Sequence, residues 1–402
     1  MKKRILVTLL AMVMVFSMAF SMTGCGNDAE ATWADQYAVY LEDADGYENE
    51  NYEALKAELD AIRVDIGATY VYVMTPSNGD GIPAVDGDYS ADGAFLIGID
   101  GSEDPDDYAT DYGWEIQFTE AWEGTPAAAR SAWNDSDELQ CWSAFAPVYD
   151  SEGNVVCLLG IDYPCTEVIT ANPEWNRDGD VFNGFHDEIT GEVPTDVADM
   201  RQLVTDYATK YAAKLSGTPT WADQYTALLE SGEARDYADY DAMKAELDDI
   251  RIATGATYVY VLTPGTDGTP DIAGESGEDG AFLITVDGSE DPDDWAVDYG
   301  WEKQFTEAWE GEPAAARSAW EESDTTGCWS AFAPVYNSEG TVVALLGFDF
   351  PADKIITDYP EWDRDSDKWN GFEDEITGEV PADVQAVIDH VTSLAAKYAK
   401  AL

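Results

Sequence analysis

Histidine is nearly missing from this chain: His186 and His390 are the only two among 402 residues. Basic residues are scarce too, 20 against 82 acidic ones, for a formal net charge of −62. Such a surface repels a phosphate backbone and anionic lipid alike, which argues against DNA or RNA as a partner. It can attract cations or cationic partners at low salt, or act only as a solubilising face. No CxxC or Cys/His spacing suggests zinc. No nucleophile elbow, phosphate loop or HExxH helix is present, so the sequence reads as non-enzymatic. What the chain does have is 45% hydrophobic and 12% aromatic residues, which excludes a disordered polyacid.

One long apolar run exists, Ile5–Phe20, behind Lys2, Lys3 and Arg4. It is shorter than the roughly 20 residues of a spanning helix, and small residues close it as "SMTGC". That ending resembles a bacterial lipobox, with Met22 where Leu is commoner, and implies a signal peptide over 1–25 and a lipidated Cys25. The alternative is an ordinary N-terminal membrane anchor. The lipobox implies an extracytoplasmic protein tethered to the cell membrane.

"DGSEDPDDYATDYGWEIQFTEAWEG" from Asp100 returns from Asp287 with three changes, and Gly98–Trp133 matches Thr285–Trp320 at 30 of 36 positions. This is an internal duplication. "TWADQY" opens at Thr32 and again at Thr220, so the repeats are expected over 32–216 and 220–402, joined by "SGTPT". Cys141 and Cys328 are equivalent, whereas Cys157 and Cys165 correspond to Ala344 and Ala352. The thiols therefore read as core residues, with a Cys141–Cys165 bridge as the alternative in the first copy.

Within one repeat, Leu55, Leu59 and Ile62 predict a helix over Tyr52–Ile66 that stops at Gly67. "ATYVYVMTP" and "AFLIGID" predict two strands. Phe118, Ala121 and Trp122 share one side of a helix, and "PAAARSAW" predicts a further short helix started by Pro126. "CWSAFAPVYDSEGNVVCLLGIDYP" predicts a hairpin turned at Asp150–Gly153, and residues 193–215 a terminal amphipathic helix. Together these make an α+β unit with one antiparallel sheet.

The strand and turn "WSAFAPVY[DN]SEG" and the following "VVxLLG[IF]D", at 142–162 and 329–349, resemble extracytoplasmic Cache domains, which are PAS-like sensors. The likeness covers roughly 50–165 and 238–352 and does not account for the rest of each repeat. It implies α+β architecture: two duplicated PAS-like/Cache domains, each a central antiparallel sheet with flanking helices. It also implies a small organic ligand between the sheet and overlying loops. Family members usually lie between two membrane helices and drive an output module. Here neither is expected, so a separate membrane signalling or transport protein is the expected partner. The Tyr, Arg, Trp-Tyr cluster of amino-acid-binding Cache sensors is not visible. The rival reading is an acidic surface or cation-binding module whose Cache fold has lost its ligand.

Asp162 and Asp349 close apolar strands, on the same face as Leu158 and Gly160 in the first copy. A carboxylate there must be solvated or paired, either with a ligand ammonium or with a nearby backbone turn. The resemblance implies that it faces the ligand. Tyr70 and Tyr72, with Tyr258 and Tyr260, present apolar bodies with polar tips on one strand face. Trp142 and Trp329 enter the hairpin. Arg130 and Arg317 could clamp a ligand carboxylate or pair with surrounding acids. Asn176, Asp178, Asp180 and Asp187, with Asp363, Asp365, Asp367 and Asp374, occupy positions 1, 3, 5 and 12 of an EF-hand-like count, where Asp363 replaces the Asn. The turn glycine and the final Glu of that loop are missing. A weak calcium site and a solvated loop are the two readings. No other cofactor is expected.

Overall fold

The computed structural model describes residues 31–42, 48–49, 51–77, 79–85, 95–102, 108–132, 140–176, 181–184, 186–266, 268–272, 281–289, 295–319, 327–362, 368–370 and 375–402. Cys25, Asp178, Asp180, Asp363, Asp365, Asp367, Asp374 and the acidic run 103–107 of the repeated passage lie outside them.

The first repeat runs α1 (Trp33–Glu42), α2 (Tyr52–Ile66), β1 (Tyr70–Pro76), β2 (Phe95–Asp100), α3 (Ile116–Trp122), β3 (Ala127–Ala132), β4 (Gln140–Tyr149), β5 (Val155–Pro164), α4 (Thr166–Ala171), a two-residue pair β6 (Phe182–Asn183) and β7 (Glu188–Ile189), and α5 (Thr195–Leu215). The second runs α6 (Trp221–Ser231), α7 (Tyr240–Thr254), β8 (Tyr258–Thr266), β9 (Thr269–Pro270), β10 (Phe282–Asp287), β11 (Val297–Gly300), α8 (Lys303–Trp309), β12 (Ala314–Ala319), β13 (Gly327–Tyr336), β14 (Val342–Pro351), α9 (Asp353–Asp358), the pair β15 (Trp369–Asn370) and β16 (Glu375–Ile376), and α10 (Ala382–Ala401).

Strand order in the first sheet is β2-β1-β5-β4-β3, antiparallel throughout. The second sheet repeats it as β10-β8-β14-β13-β12, with β11 added at the β10 edge. Helix α2 forms where the sequence predicts, because Leu55, Leu59, Ile62 and Ile66 recur at helical spacing and are buried. It ends where Gly67 takes φ 71°, a conformation open to glycine at little cost.

"PAAARSA" is not a helix. Alanine favours helix in isolation, yet β3 pairs with β4 from Ala127 opposite Phe145 to Ala132 opposite Gln140. Pairing satisfies the edge of β4 that would otherwise be bare. The small side chains suit this position, since Ala129 packs in the cluster under α3 and Ala128 in the cluster on the opposite face.

Each sheet has two differently covered faces. Helices α1, α2 and α5 lie against one face, with Val71, Val73, Ala144, Leu159 and Ile161 beneath them. Tyr72, Met74, Phe145 and Leu158 point to the other, under α3. Alternation along β1, β4 and β5 enforces this split. The first face belongs to one buried cluster that continues through α5 and α10 into the second repeat. Tyr207 donates to the Lys397 carbonyl at 3.0 Å, and Tyr398 to the Asp199 carbonyl at 3.3 Å, tying these two helices together.

Cys141 donates to Thr69 Oγ1 at 3.3 Å, and Cys328 to Thr257 Oγ1 at 3.4 Å. Cys141 is thus a buried thiol, not one half of a bridge to Cys165. Among the described residues no helix is long and apolar enough to cross a membrane.

Candidate functional site

The α3 face of the sheet carries the candidate site. In register, Tyr70 pairs with Asp162, Tyr72 with Gly160, and Ser143 with Asp162. Residues directly opposite on antiparallel strands share a face, so Tyr70, Tyr72, Ser143 and Asp162 come together. Gly160 is required there. A Cβ on it would stand 2.4 Å from Tyr72 Cε2, so only glycine lets the ring cross β5.

That crossing delivers Tyr72 Oη to 3.2 Å from Asp162 Oδ1 and 2.9 Å from Tyr112 Oη. Ser143 also bonds the Asp162 carboxylate. The second repeat reproduces the arrangement: Tyr260 donates to Asp349 Oδ1 at 3.2 Å and lies 2.8 Å from Tyr299 Oη, while Ser330 donates to Asp349 Oδ1 at 2.5 Å. Asp162 and Asp349 are both wholly buried. In each, Oδ2 has no hydrogen-bond partner among the described residues.

Burial raises the carboxyl of Asp162 from 3.8 to about 7, against the hydrogen bonds from Ser143 and Tyr72, with Asp100 nearby adding to the rise. Asp349 is raised to about 7 in the same way, with Ser330, Tyr260 and Asp287 in the corresponding parts. A single hydroxyl hydrogen on Tyr72 can serve only one of its two neighbours. With Asp162 ionised, Tyr72 donates to it and can accept from Tyr112. With Asp162 protonated, it can donate to Tyr72, which then donates to Tyr112. The chain of three oxygens can therefore reverse its polarity with one proton.

The aromatic half of the duplicated passage roofs this face. Tyr112 packs on Tyr72 with ring centroids 5.3 Å apart, and Phe118 on Phe145 at 4.7 Å. Tyr299 and Phe305 repeat these contacts at 5.4 and 4.6 Å. Asp100 sits at the rim, paired in register with Tyr72, its Oδ1 accepting from the Ser102 amide at 2.7 Å.

Other sequence candidates fall elsewhere. Trp142 lies on the opposite face, where it stacks on Phe182 and the Arg201 guanidinium approaches its ring to 6.0 Å. Trp329 stacks on Trp369 in the same position. These tryptophans are core residues of the helix face and do not share a pocket with Asp162 or Asp349. Arg130 and Arg317 occupy edge-strand positions opposite Trp142 and Trp329, and their side chains are outside the described residues. Asp187 is engaged by Arg201 at 2.8 Å, at a φ of 49°. Of the calcium candidates, only it and Asn176 are described, and no group of three His, Cys, Asp or Glu among the described residues could hold a metal. Ser143, Tyr112 and Asp100, with Ser330, Tyr299 and Asp287, join the candidate site although the sequence alone does not single them out. Tyr112 and Asp100 stood in the repeated passage, and Ser143 follows from counting back along the hairpin.

No family model matches the sequence, and no curated protein matches it. Three solved structures are similar to it. The sensor domain of the Vibrio cholerae histidine kinase DctB is 9% identical, over 79% of this chain and 85% of that one, at a TM-score of 0.26. The ligand-binding domain of the Campylobacter jejuni chemoreceptor Tlp3, solved with 4-methylisoleucine, is 10% identical over 80% and 82%, at 0.20. The periplasmic domain of RsbU from Chlamydia trachomatis is 10% identical over 81% and 86%, at 0.21. Superpositions this loose carry no argument, and the description of the fold rests on strand order and register. Each repeat is an α+β unit on an antiparallel sheet, with the first in the order β2-β1-β5-β4-β3 and the second repeating it, which is the architecture the resemblance to Cache domains implies.

Proposed function

We propose that this protein is a lipid-anchored, extracytoplasmic binding protein of the sensory kind, with one small-molecule site per repeat. The observation that carries this reading is the Oδ2 of Asp162 and of Asp349, each without a hydrogen-bond partner among the described residues and buried at equivalent places beside Tyr72 and Tyr260. A buried acceptor with no donor is costly. A ligand ammonium, amide or hydroxyl would supply the donor, and the ring faces roofing the site would bury its apolar body. Cys25 would hold the protein to the membrane by lipid, and a separate membrane signalling or transport protein would read the bound state.

The second reading keeps the fold and removes the ligand. Aromatic and aliphatic side chains already cover the α3 face, so a protonated Asp162 could stay there unliganded and leave an acidic surface module. A thermal-shift screen at pH 7.5 separates the two. Small amines, amino acids and amides should include a class that raises the melting temperature saturably. If none does, the second reading stands. Loss of acyl label in Cys25→Ala tests the anchor, and unchanged labelling contradicts it.

A further inference from the structure

Helix α5 of the first repeat packs against both α10 and α7 of the second. On the α10 side the contact is hydrogen-bonded, through the Tyr207 and Tyr398 hydroxyls. On the α7 side, acids face one another. Asp206 of α5 has Glu246 and Asp249 of α7 nearby, with Tyr398 of α10 beside it. Its Oδ1 accepts from Gln202 Nε2 at 2.7 Å, while its buried Oδ2 has no hydrogen-bond partner among the described residues.

Duplication does not account for this juxtaposition. Asp206 corresponds to Ser393 in α10, and Asp249 to Ala61 in α2. Each side of the seam thus carries an acid that the other copy lacks at the equivalent place. Lys210, one turn further along α5, lies amid Asp65, Asp223, Glu246 and Lys214, so its charge is already shared among three acids. Burial raises the Asp206 carboxyl from 3.8 to about 7, against the bond from Gln202, and Glu246 and Asp249 add to the rise. Burial also holds the Tyr207 and Tyr398 hydroxyls above their ordinary range, so the α5–α10 bonds keep their protons.

We propose that the α5–α7 contact is a pH-sensitive latch between the repeats, closed when Asp206 is protonated and loosened when it ionises against Glu246 and Asp249. Ionisation leaves a desolvated carboxylate facing like charges, whereas protonation removes that repulsion and supplies a donor. A carboxyl whose pKa is higher in the closed seam than in water favours closure at low pH. The latch is tightest below about 4, loosens as pH rises to about 7, and changes no further above that. The α5–α10 contact holds meanwhile, so loosening at α7 leaves the repeats attached. The latch is independent of any ligand at the sheet faces.

Hydrogen exchange of the full chain at about pH 5.5 and about pH 8 tests this, with protection corrected for the intrinsic rate at each pH. Protection of the α5 and α7 amides, taken relative to those of β4–β5 and β13–β14, should fall at least about tenfold at the higher pH. The sheet reference removes the change in global stability that Asp162 and Asp349 bring. Asp206→Asn, which keeps an acceptor for Gln202 and loses the charge, should abolish the fall. Should that variant misfold, Asp249→Ala must reduce it. The proposal is overturned if α5 and α7 track the sheets in the wild type, or if either variant, folded, shows the full wild-type fall.

Discussion

Tyr72 Oη lies 3.2 Å from Asp162 Oδ1, and Tyr260 Oη lies the same distance from Asp349 Oδ1. Each bond crosses a glycine, Gly160 or Gly347, and each tyrosine meets a second tyrosine from the duplicated passage. The near identity of that passage thus maintains two roofs of the same chemistry over two buried carboxyls.

The carboxyls set a pH dependence whose sign follows from their raised pKa. Asp162 holds its proton up to about 7 when folded, against an ordinary 3.8. Its contribution to stability is greatest below about 4, falls as pH rises to about 7, and is flat above. A shift of that size corresponds to something on the order of 4 kcal/mol per site. Asp162→Asn or Asp349→Asn should remove the penalty, raising stability at pH 8 by a few kcal/mol and changing it little at pH 4. Urea unfolding at both pH values measures this. A variant equally destabilised at both would contradict the protonation account.

Gly160→Ala and Gly347→Ala should each disturb one site. The added Cβ would stand 2.4 Å from Tyr72 in the first and 2.5 Å from Tyr260 in the second, so the ring must move. Overpacking of this kind costs roughly 1–3 kcal/mol. The near-ultraviolet circular dichroism of the tyrosines should change with it. Unchanged stability would mean the ring is not held over β5.

Much of this was legible in sequence because the signals were local. Helical spacing marked α2, and alternation marked β1, β2 and the β4–β5 hairpin. Two failures were non-local. "PAAARSA" has a helical composition, and only the bare edge of β4 makes it a strand. Trp142, a pocket candidate by its place in the hairpin, is not one in the fold, because the turn at Asp150–Gly153 sets Ser143 opposite Asp162. The one-residue step puts the tryptophan on the other face. Helix α1 escaped because "TWADQYAVYLE" is too short to establish a helical period; its burial comes from packing, as in Tyr37 and Tyr40.

The second repeat holds its own complete sheet and helices, so residues Thr220–Leu402 should fold alone. They lose the Tyr207 and Tyr398 bonds between α5 and α10. Those two bonds alone are worth about 2 kcal/mol, or roughly 4–8 °C, and the loss of the apolar cluster shared by α5 and α10 adds to it. Calorimetric melting of the fragment should be cooperative and lower than that of the full chain. A fragment that never melts cooperatively would show that the repeats fold only together.

At a net charge of −62, monovalent salt should raise the melting temperature by screening self-repulsion. Calcium at constant ionic strength separates a specific site from that general effect. A saturable rise, lost in Asp178→Asn with Asp365→Asn, would support the loop as a weak calcium site. A response equal to that of sodium leaves a solvated loop.

The most direct test of the paired sites is calorimetry with any donor-bearing compound that the thermal screen identifies. Losing one charge-assisted contact should cost about 1.5–3 kcal/mol, roughly tenfold to a hundredfold in affinity. The wild type should bind two equivalents, Asp162→Asn and Asp349→Asn one strong equivalent each, and the double variant none at the same affinity. Two undiminished sites in the double variant would contradict the assignment of Asp162 and Asp349 as ligand anchors.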